Sequence, residues 1–142
     1  MILSKPEHGW TDITIGKWTD RASYLTDVHL DFLKCLIRFF ETNSPSCFQC
    51  DAEGWNYTIV ISDNYVHTIE EKDEIEFYSF DLYEENITIK DFARMVYNDI
   101  LTNIDDWSCW DPCIDFNDMG DIENSKNEIQ EKLEELKKYI DD

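Results

Sequence analysis

The chain has 142 residues, of which 32 are Asp or Glu and only 12 are Lys or Arg, so its formal net charge at pH 7 is −20. Such a charge argues against nucleic acid and anionic lipid as direct ligands, because both would be repelled, and it favours a basic partner. Because 42% of the residues are apolar and 14% are aromatic, the composition is that of a folded protein and not of an acidic disordered segment. The length predicts one domain, 1–142.

Three further observations indicate the cellular compartment of the protein. No apolar run approaches the roughly 20 residues that a membrane-spanning helix needs. The first residues, Met1 to His8, lack the apolar core of a signal peptide, which argues against export by that route. The five cysteines, an odd number, fit thiols in a reducing cytoplasm better than a disulfide framework. We therefore expect a soluble cytoplasmic protein that does not bind a membrane.

The first third of the chain predicts two short strands and a helix. Alternation indicates a strand over residues 12–18, where Gly16 suggests a bulge or a close approach, and a short return strand over 22–25. The helix is predicted to begin at an N-cap at 26 or 27 and to end before Pro45. Its apolar residues have the spacing of one buried face: Leu30, Leu33, Leu36, Ile37 and Phe40.

Beyond this helix the apolar period changes from about 3.6 to 2, which indicates strands. The predicted strands are 47–51, 55–61, 65–69 and 74–83, with turns at 51–54, 63–64 and 71–73. In the second of these strands, alternate residues from Trp55 to Ile61 share a face. In the last, Ile75 and Phe77 fall on one face, whereas Tyr78, Phe80 and Leu82 fall on the other. This slip predicts either a bulge or burial of both faces.

Two further helices are predicted in the second half of the chain. Thr88 opens one of them as a weak capping box, and a second capping box at 125–128 opens a C-terminal amphipathic helix. The apolar stripe of the C-terminal helix is Ile129, Leu133, Leu136 and Ile140. Adjacent strands with helices before and after them predict an α+β domain, in which a mainly antiparallel sheet of about four to six strands packs against two or three helices.

No catalytic or cofactor-binding signature is recognisable. The histidines at 8, 29 and 67 are scattered, and none belongs to a nucleophile or metal motif. Four cysteines could offer thiolates to zinc, but residues three apart on a strand, such as Cys47 and Cys50, point to opposite faces. The Asp-rich stretch 111–123 does not fit a calcium loop, because Lys126 falls where a bidentate Glu belongs. We therefore predict a protein that is not an enzyme and binds no metal or cofactor.

The strongest functional signal is acidity interleaved with large aromatic side chains in residues 105–118. Aromatic anchors within a ring of carboxylates are typical of a protein interface that receives a basic partner. The alternative is that the tryptophans cap the core beneath a long loop, with the acids solvated around them. The predicted partner-binding residues are Asp105, Asp106, Trp107, Trp110, Asp111, Asp115, Phe116 and Asp118.

A second acidic concentration lies at residues 70–76. Like charges on one face of a strand cost stability unless water or a cationic surface receives them. This stretch is therefore either a solvated edge that is protected against aggregation or a second contact site. Its predicted partner-binding residues are Glu71, Asp73, Glu74 and Glu76.

Several strings in the first half of the chain resemble a known family. They are Gly9-Trp10, Ile15-Gly16-Lys17-Trp18, Arg21-Ala22-Ser23-Tyr24-Leu25-Thr26-Asp27-Val28 and Asp51-Ala52-Glu53-Gly54-Trp55. Together they are similar to small cytoplasmic immunity proteins of the wall-associated (WapI-like) polymorphic toxin systems of Gram-positive bacteria. The resemblance implies an antidote that binds the toxin domain of a sister cell, commonly a nuclease. It assigns no binding residues.

Net charge leads to a similar expectation by a separate route. A nuclease presents Lys and Arg to phosphates, so a carboxylate-rich protein can occupy its cleft by imitating the charge of the substrate. The sequence therefore predicts an immunity protein or inhibitor that neutralises a basic toxin domain. The alternatives are a nucleic-acid mimic that regulates a basic DNA-binding protein and a small metal-binding domain. Oligomeric state is left open.

Overall fold

A computed structural model describes residues 1–74, 77–111 and 119–141. The elements in chain order are β1 (Trp10–Ile15), β2 (Trp18–Ser23), α1 (Val28–Thr42), β3 (Ser46–Asp51), β4 (Asn56–Ser62), β5 (Tyr65–Glu74), β6 (Phe77–Asn86), α2 (Ile89–Thr102), α3 (Ile104–Trp107) and α4 (Met119–Ile140). Strands β3 to β6 form a four-stranded antiparallel sheet in chain order, and β1 pairs with β2 in a separate hairpin. The predicted α+β domain with an antiparallel sheet and a long C-terminal helix is confirmed.

Helix α1 lies at the centre of the fold. It packs against β3 and β4 and also against α2 and α4, so more of its surface is buried than the single predicted stripe. Phe32 meets Phe48 of β3 edge to face, with 4.6 Å between the ring centroids, and Phe40 stacks on Tyr139 of α4 at 5.4 Å. The buried residues of the helix are Val28, His29, Leu30, Phe32, Leu33, Cys35, Leu36, Ile37 and Phe39.

The sheet has one covered face. Alternate residues of β4, namely Tyr57, Ile59 and Ile61, are buried on it, which confirms three of the four residues of the face predicted from Trp55 to Ile61. Trp55 precedes the strand and is 37% exposed. Val66 of β5 is buried opposite Ile61 and continues the same layer. The covered face therefore runs from β3 into β5.

The β1–β2 hairpin covers the part of this face that lies over β4 to β6. Gly16 has a φ of 58°, and a Cβ there would collide with the side chains of Tyr83 and Glu85 of β6, so the predicted close approach is confirmed. The Lys17 backbone N–H donates to the Tyr83 hydroxyl at 2.9 Å. Both strands of the hairpin begin earlier than predicted, because the two-residue turn between them falls at 16–17.

Strand β5 is longer than the sequence predicted. It continues through residues 71–73, which were predicted to form a turn, and ends at Glu74. This prediction failed because the acidic residues resemble a turn in composition, whereas their backbones pair with β6. The polar composition of this stretch suits an exposed strand as well as it suits a loop.

Strand β6 begins at Phe77 and not at residue 74. Its pairing with β5 runs one to one from Tyr65 opposite Asn86 to Glu74 opposite Phe77, so the predicted bulge is wrong within the described strand. Burial of both faces is also wrong, because Phe80 is 62% exposed and Leu82 is 61% exposed. The slip in alternation reflects apolar residues on the uncovered face.

Helix α4 begins well before the capping box predicted at 125–128, which lies inside the helix. The predicted stripe is confirmed, since its four residues are buried: Ile129, Leu133, Leu136 and Ile140. Arg94 of α2 closes the end of α4 by donating from Nη2 and Nε to the carbonyl oxygen of Ile140, at 2.9 and 3.2 Å. Within the described ranges, no helix combines the length and the apolar character needed to cross a bilayer.

Replacement of Leu133 tests the packing of α4. Its side chain is 3% exposed, so we expect Leu133→Ala to lower the free energy of unfolding by about 2–5 kcal/mol through lost burial and a residual cavity. Leu101→Ala on α2 is the matched control, because Leu101 is 45% exposed, and its effect should stay within about 0.5 kcal/mol. Urea unfolding followed by circular dichroism measures both. Equal losses would contradict the position of α4.

Candidate partner-binding surfaces

The two tryptophans of the first predicted interface lie in the core. Trp107 is 0% exposed and Trp110 is 3% exposed. Their ring centroids are 5.1 Å apart, and Trp107 stacks on His29 of α1 at 4.8 Å. The indole N–H of Trp110 donates to the carbonyl oxygen of Thr26 at 2.9 Å, which ties the segment to the start of α1. The rings therefore cap the core, as the alternative held, and the prediction of exposed aromatic anchors is wrong for both.

Two of the described acids of this segment, Asp105 and Asp111, are exposed. Asp105 has a side chain that is 84% exposed and forms an ion pair with Lys126 of α4 at 3.0 Å. Asp106 is half-buried and Asp111 is exposed. The remaining predicted residues lie outside the described residues: Asp115, Phe116 and Asp118. The described part of the segment thus offers carboxylates but no exposed aromatic ring.

Burial also determines the protonation state of His29. Loss of solvent lowers its pKa from 6.5 to about 3, and the charge of Lys34 adds to the effect. The imidazole is therefore neutral at pH 7. Packed between Trp107 and the rest of α1, it acts as a flat core side chain and not as a base exposed to a substrate.

The second predicted acidic stretch lies where β5 and β6 extend beyond β4. Strand β4 ends its pairing with β5 at Asn56 opposite Glu71, whereas β5 and β6 continue to Glu74. Glu71 is exposed. Asp73 and Glu74 belong to the two-stranded extension, and Glu76 lies outside the described residues. Contact of these acids with a partner stays a prediction.

The uncovered side of the sheet carries exposed apolar residues that the sequence reasoning did not assign to a site. We call it the open face, and its described residues on β4 to β6 are Asn56, Thr58, Val60, Ser62, Tyr65, His67, Ile69, Glu71, Phe80, Leu82, Glu84 and Asn86. Phe80 is 62% exposed, Leu82 is 61% exposed and Tyr65 is 37% exposed. The sequence did contain a sign of this exposed face. In β6 the apolar residues change phase, so that Phe80 and Leu82 do not share the face of Phe77.

The charged groups of the open face are acidic apart from one histidine. Glu71 lies directly opposite Phe80 on the neighbouring strand. Glu84 has a side chain that is 54% exposed, and its Oε2 is 2.8 Å from Nε2 of His67, whose ring stacks on Tyr65. No lysine or arginine is among the residues that define this face. Apolar anchors beside carboxylates, the pattern predicted for residues 105–118, thus occur here instead.

The two cysteines of β3 are not placed to bind one metal ion together. Cys47 is exposed and Cys50 is buried, so they lie on opposite faces of β3, as the strand geometry predicted. Burial raises the pKa of Cys50 to about 12, which keeps its thiol protonated at neutral pH. Across residues 1–74, 77–111 and 119–141, no group of three or more His, Cys, Asp or Glu residues is placed to hold a metal ion.

Comparison with known proteins identifies no relative of this chain. No family model, no curated protein and no solved structure matches the chain. Its surface must therefore be interpreted from its own geometry and charge.

Replacement of His29 tests its buried neutral state. In the folded chain the imidazole has a pKa of about 3, whereas in the unfolded chain it binds a proton below about pH 6.5. The unfolded state therefore holds more protons between these values, and His29 makes the fold less stable as the pH falls. From about pH 7 to about pH 5, the wild-type chain should lose about 2 kcal/mol more free energy of unfolding than His29→Gln.

Urea unfolding at a series of pH values measures this difference. Acidification also neutralises carboxylates in every variant, so the informative quantity is the gap between two variants and not the slope of one. His8→Asn is the control, because His8 is exposed, and its curve should follow the wild type. Parallel curves for the wild type and His29→Gln would show that the imidazole is not buried in its neutral form.

Proposed function

We propose that this chain is a cytoplasmic immunity protein that binds a cationic toxin domain and neutralises it by covering its active site. The observation that carries the proposal is a net charge of −20 on a well-packed fold. Self-repulsion at this charge opposes compaction, so an acidic surface has a cost that a basic partner offsets. The resemblance of the first half of the chain to immunity proteins agrees with this function.

At least three of the twelve basic residues are held by contacts within the molecule. The guanidinium of Arg21 lies over the rings of Trp10 and Trp55, 4.9 and 5.4 Å from their centroids. Arg94 is bound to the end of α4, and Lys126 is paired with Asp105. These cations are held by groups within the molecule, while carboxylates such as Glu71 project from the sheet.

A nuclease domain is the toxin that this charge suits best. Its cleft must hold Lys and Arg in positions that contact phosphates, and a carboxylate surface competes for the same groups. Inhibition of this kind is stoichiometric occlusion and requires no chemistry from the inhibitor. The long-range field of the acidic protein also accelerates the encounter, which an antidote needs if the toxin acts quickly.

A regulator that imitates nucleic acid would share the negative charge. Such a mimic works mainly through carboxylates placed like phosphates, whereas the open face adds exposed Phe80 and Leu82. Apolar anchors of this kind are typical of specific protein interfaces, which favours a toxin domain over a general DNA-binding protein. The two functions predict different partners in the same binding experiment.

The proposal predicts that a basic toxin domain is encoded next to the gene for this chain, and binding to that domain tests it. We expect the two proteins to form a one-to-one complex, the toxin to lose its activity at equimolar inhibitor, and co-expression to protect cells. The association rate should fall by about tenfold or more between about 0.02 and about 0.5 M salt, because screening removes the electrostatic attraction.

The control for protection is an active-site variant of the toxin, which should be harmless with or without the inhibitor. Absence of binding to the neighbouring toxin, together with tight retention of DNA-binding proteins that no toxin displaces, would replace the proposed function with that of a nucleic-acid mimic.

A further inference from the structure

We infer that the open face is the surface that docks the basic domain, with Phe80 and Leu82 of β6 as its apolar anchors. The inference rests on the proposed function and names the part of the molecule that performs it. It moves the site from residues 105–118, where the tryptophans are buried, to the face of the sheet that α1 and the hairpin leave uncovered.

Exposure on this face is concentrated and not scattered. Phe80 and Leu82 are alternate residues of one strand, and Leu82 lies opposite the half-buried Ile69 of β5. Elsewhere in the described chain the exposed large apolar residues stand apart: Met1 at the N-terminus, Leu25 before α1, Trp55 between β3 and β4, and Leu101 on α2. Single exposed apolar residues are ordinary, whereas neighbouring ones that share a surface mark an interaction site.

The charge of the open face indicates which kind of partner it binds. Glu71 and Glu84 flank the two anchors, and the described side chains of the open face include no lysine or arginine. A second copy of the chain would bring two acidic surfaces together, each on a molecule of charge −20, and their repulsion opposes pairing. A basic protein surface instead gains attraction from the same carboxylates.

The regular strand pairing beneath the anchors favours tight docking. Tyr65 to Glu74 pair one to one with Phe77 to Asn86, and β4 supports β5 as far as Glu71. Phe80 and Leu82 therefore project from a backbone that is already ordered before binding. Anchors on an ordered backbone lose little conformational entropy when they are buried, so more of the contact energy contributes to affinity. Carboxylates around them then select a basic partner.

Serine substitutions at the anchors test the inference directly. Phe80→Ser and Leu82→Ser should each raise the Kd for the neighbouring basic toxin domain by about 10- to 100-fold. Leu101→Ser and Leu25→Ser are matched controls, because Leu101 is 45% exposed and Leu25 is 53% exposed, and their Kd values should stay within about twofold of the wild type. Isothermal titration measures the affinities, and thermal unfolding checks that each variant is folded.

Charge reversal provides an independent readout. Glu71→Lys and Glu134→Lys change the net charge equally, but Glu71 is on the open face and Glu134 is an exposed residue of α4. At low salt, Glu71→Lys should slow association several-fold more than Glu134→Lys, because the local potential at the contact governs steering. Stopped-flow fluorescence measures the two rates.

Each outcome separates the inference from the proposed function. If the wild type binds the toxin domain while Phe80→Ser and Leu82→Ser bind equally well, the docking surface is wrong and the function stands. If the wild type does not bind the toxin domain, the proposed function is wrong, and so is the proposal that the open face binds a basic protein. Sedimentation that shows a dimer of the chain, abolished by Leu82→Ser, would assign the face to a second copy and overturn the inference.

Discussion

Burial of α1 between the sheet and the other helices is the interaction on which the rest of the structure depends. Phe32 reaches β3 while Phe40 reaches α4, so one helix joins both halves of the core. A chain of charge −20 needs such a core, because electrostatic repulsion among its carboxylates favours expansion. Residues 107–110 also pack into this core, where Trp107 and Trp110 lie beside His29 of α1. Because their rings are buried, they cannot serve as surface anchors in this fold.

Because the core lies on one side of the sheet, none of the described elements covers the other side. Helix α1 and the β1–β2 hairpin cover the face that carries Tyr57 and Ile59, and the described chain places no element over Phe80 and Leu82. An antiparallel sheet tolerates one exposed face when that face is polar. Here it is partly apolar and bordered by acids, and the basic partner that we propose would account for both properties.

Much of the fold was predictable from the sequence because its signals are local. Alternation in β4 and the stripe through Leu133 depend on periods of 2 and 3.6, and both were confirmed. The site was not predictable in the same way. Composition alone shows that Trp107 has acidic neighbours, but only packing against α1 shows that the ring points inward. The slip of alternation at Phe80 was visible, yet a bulge explained it equally well until the register of β5 and β6 was known.

Hydroxyl-radical footprinting of the chain, alone and with the basic toxin domain, tests the central claim most directly. We expect Tyr65, Phe80 and Leu82 to be oxidised in the isolated protein and protected in the complex, while Leu101 reacts equally in both states. Trp107 and Trp110 should be oxidised slowly in both states, because their rings are buried. Rapid oxidation of the two tryptophans in the isolated chain, followed by their protection on binding, would contradict the account and return the interface to residues 105–118.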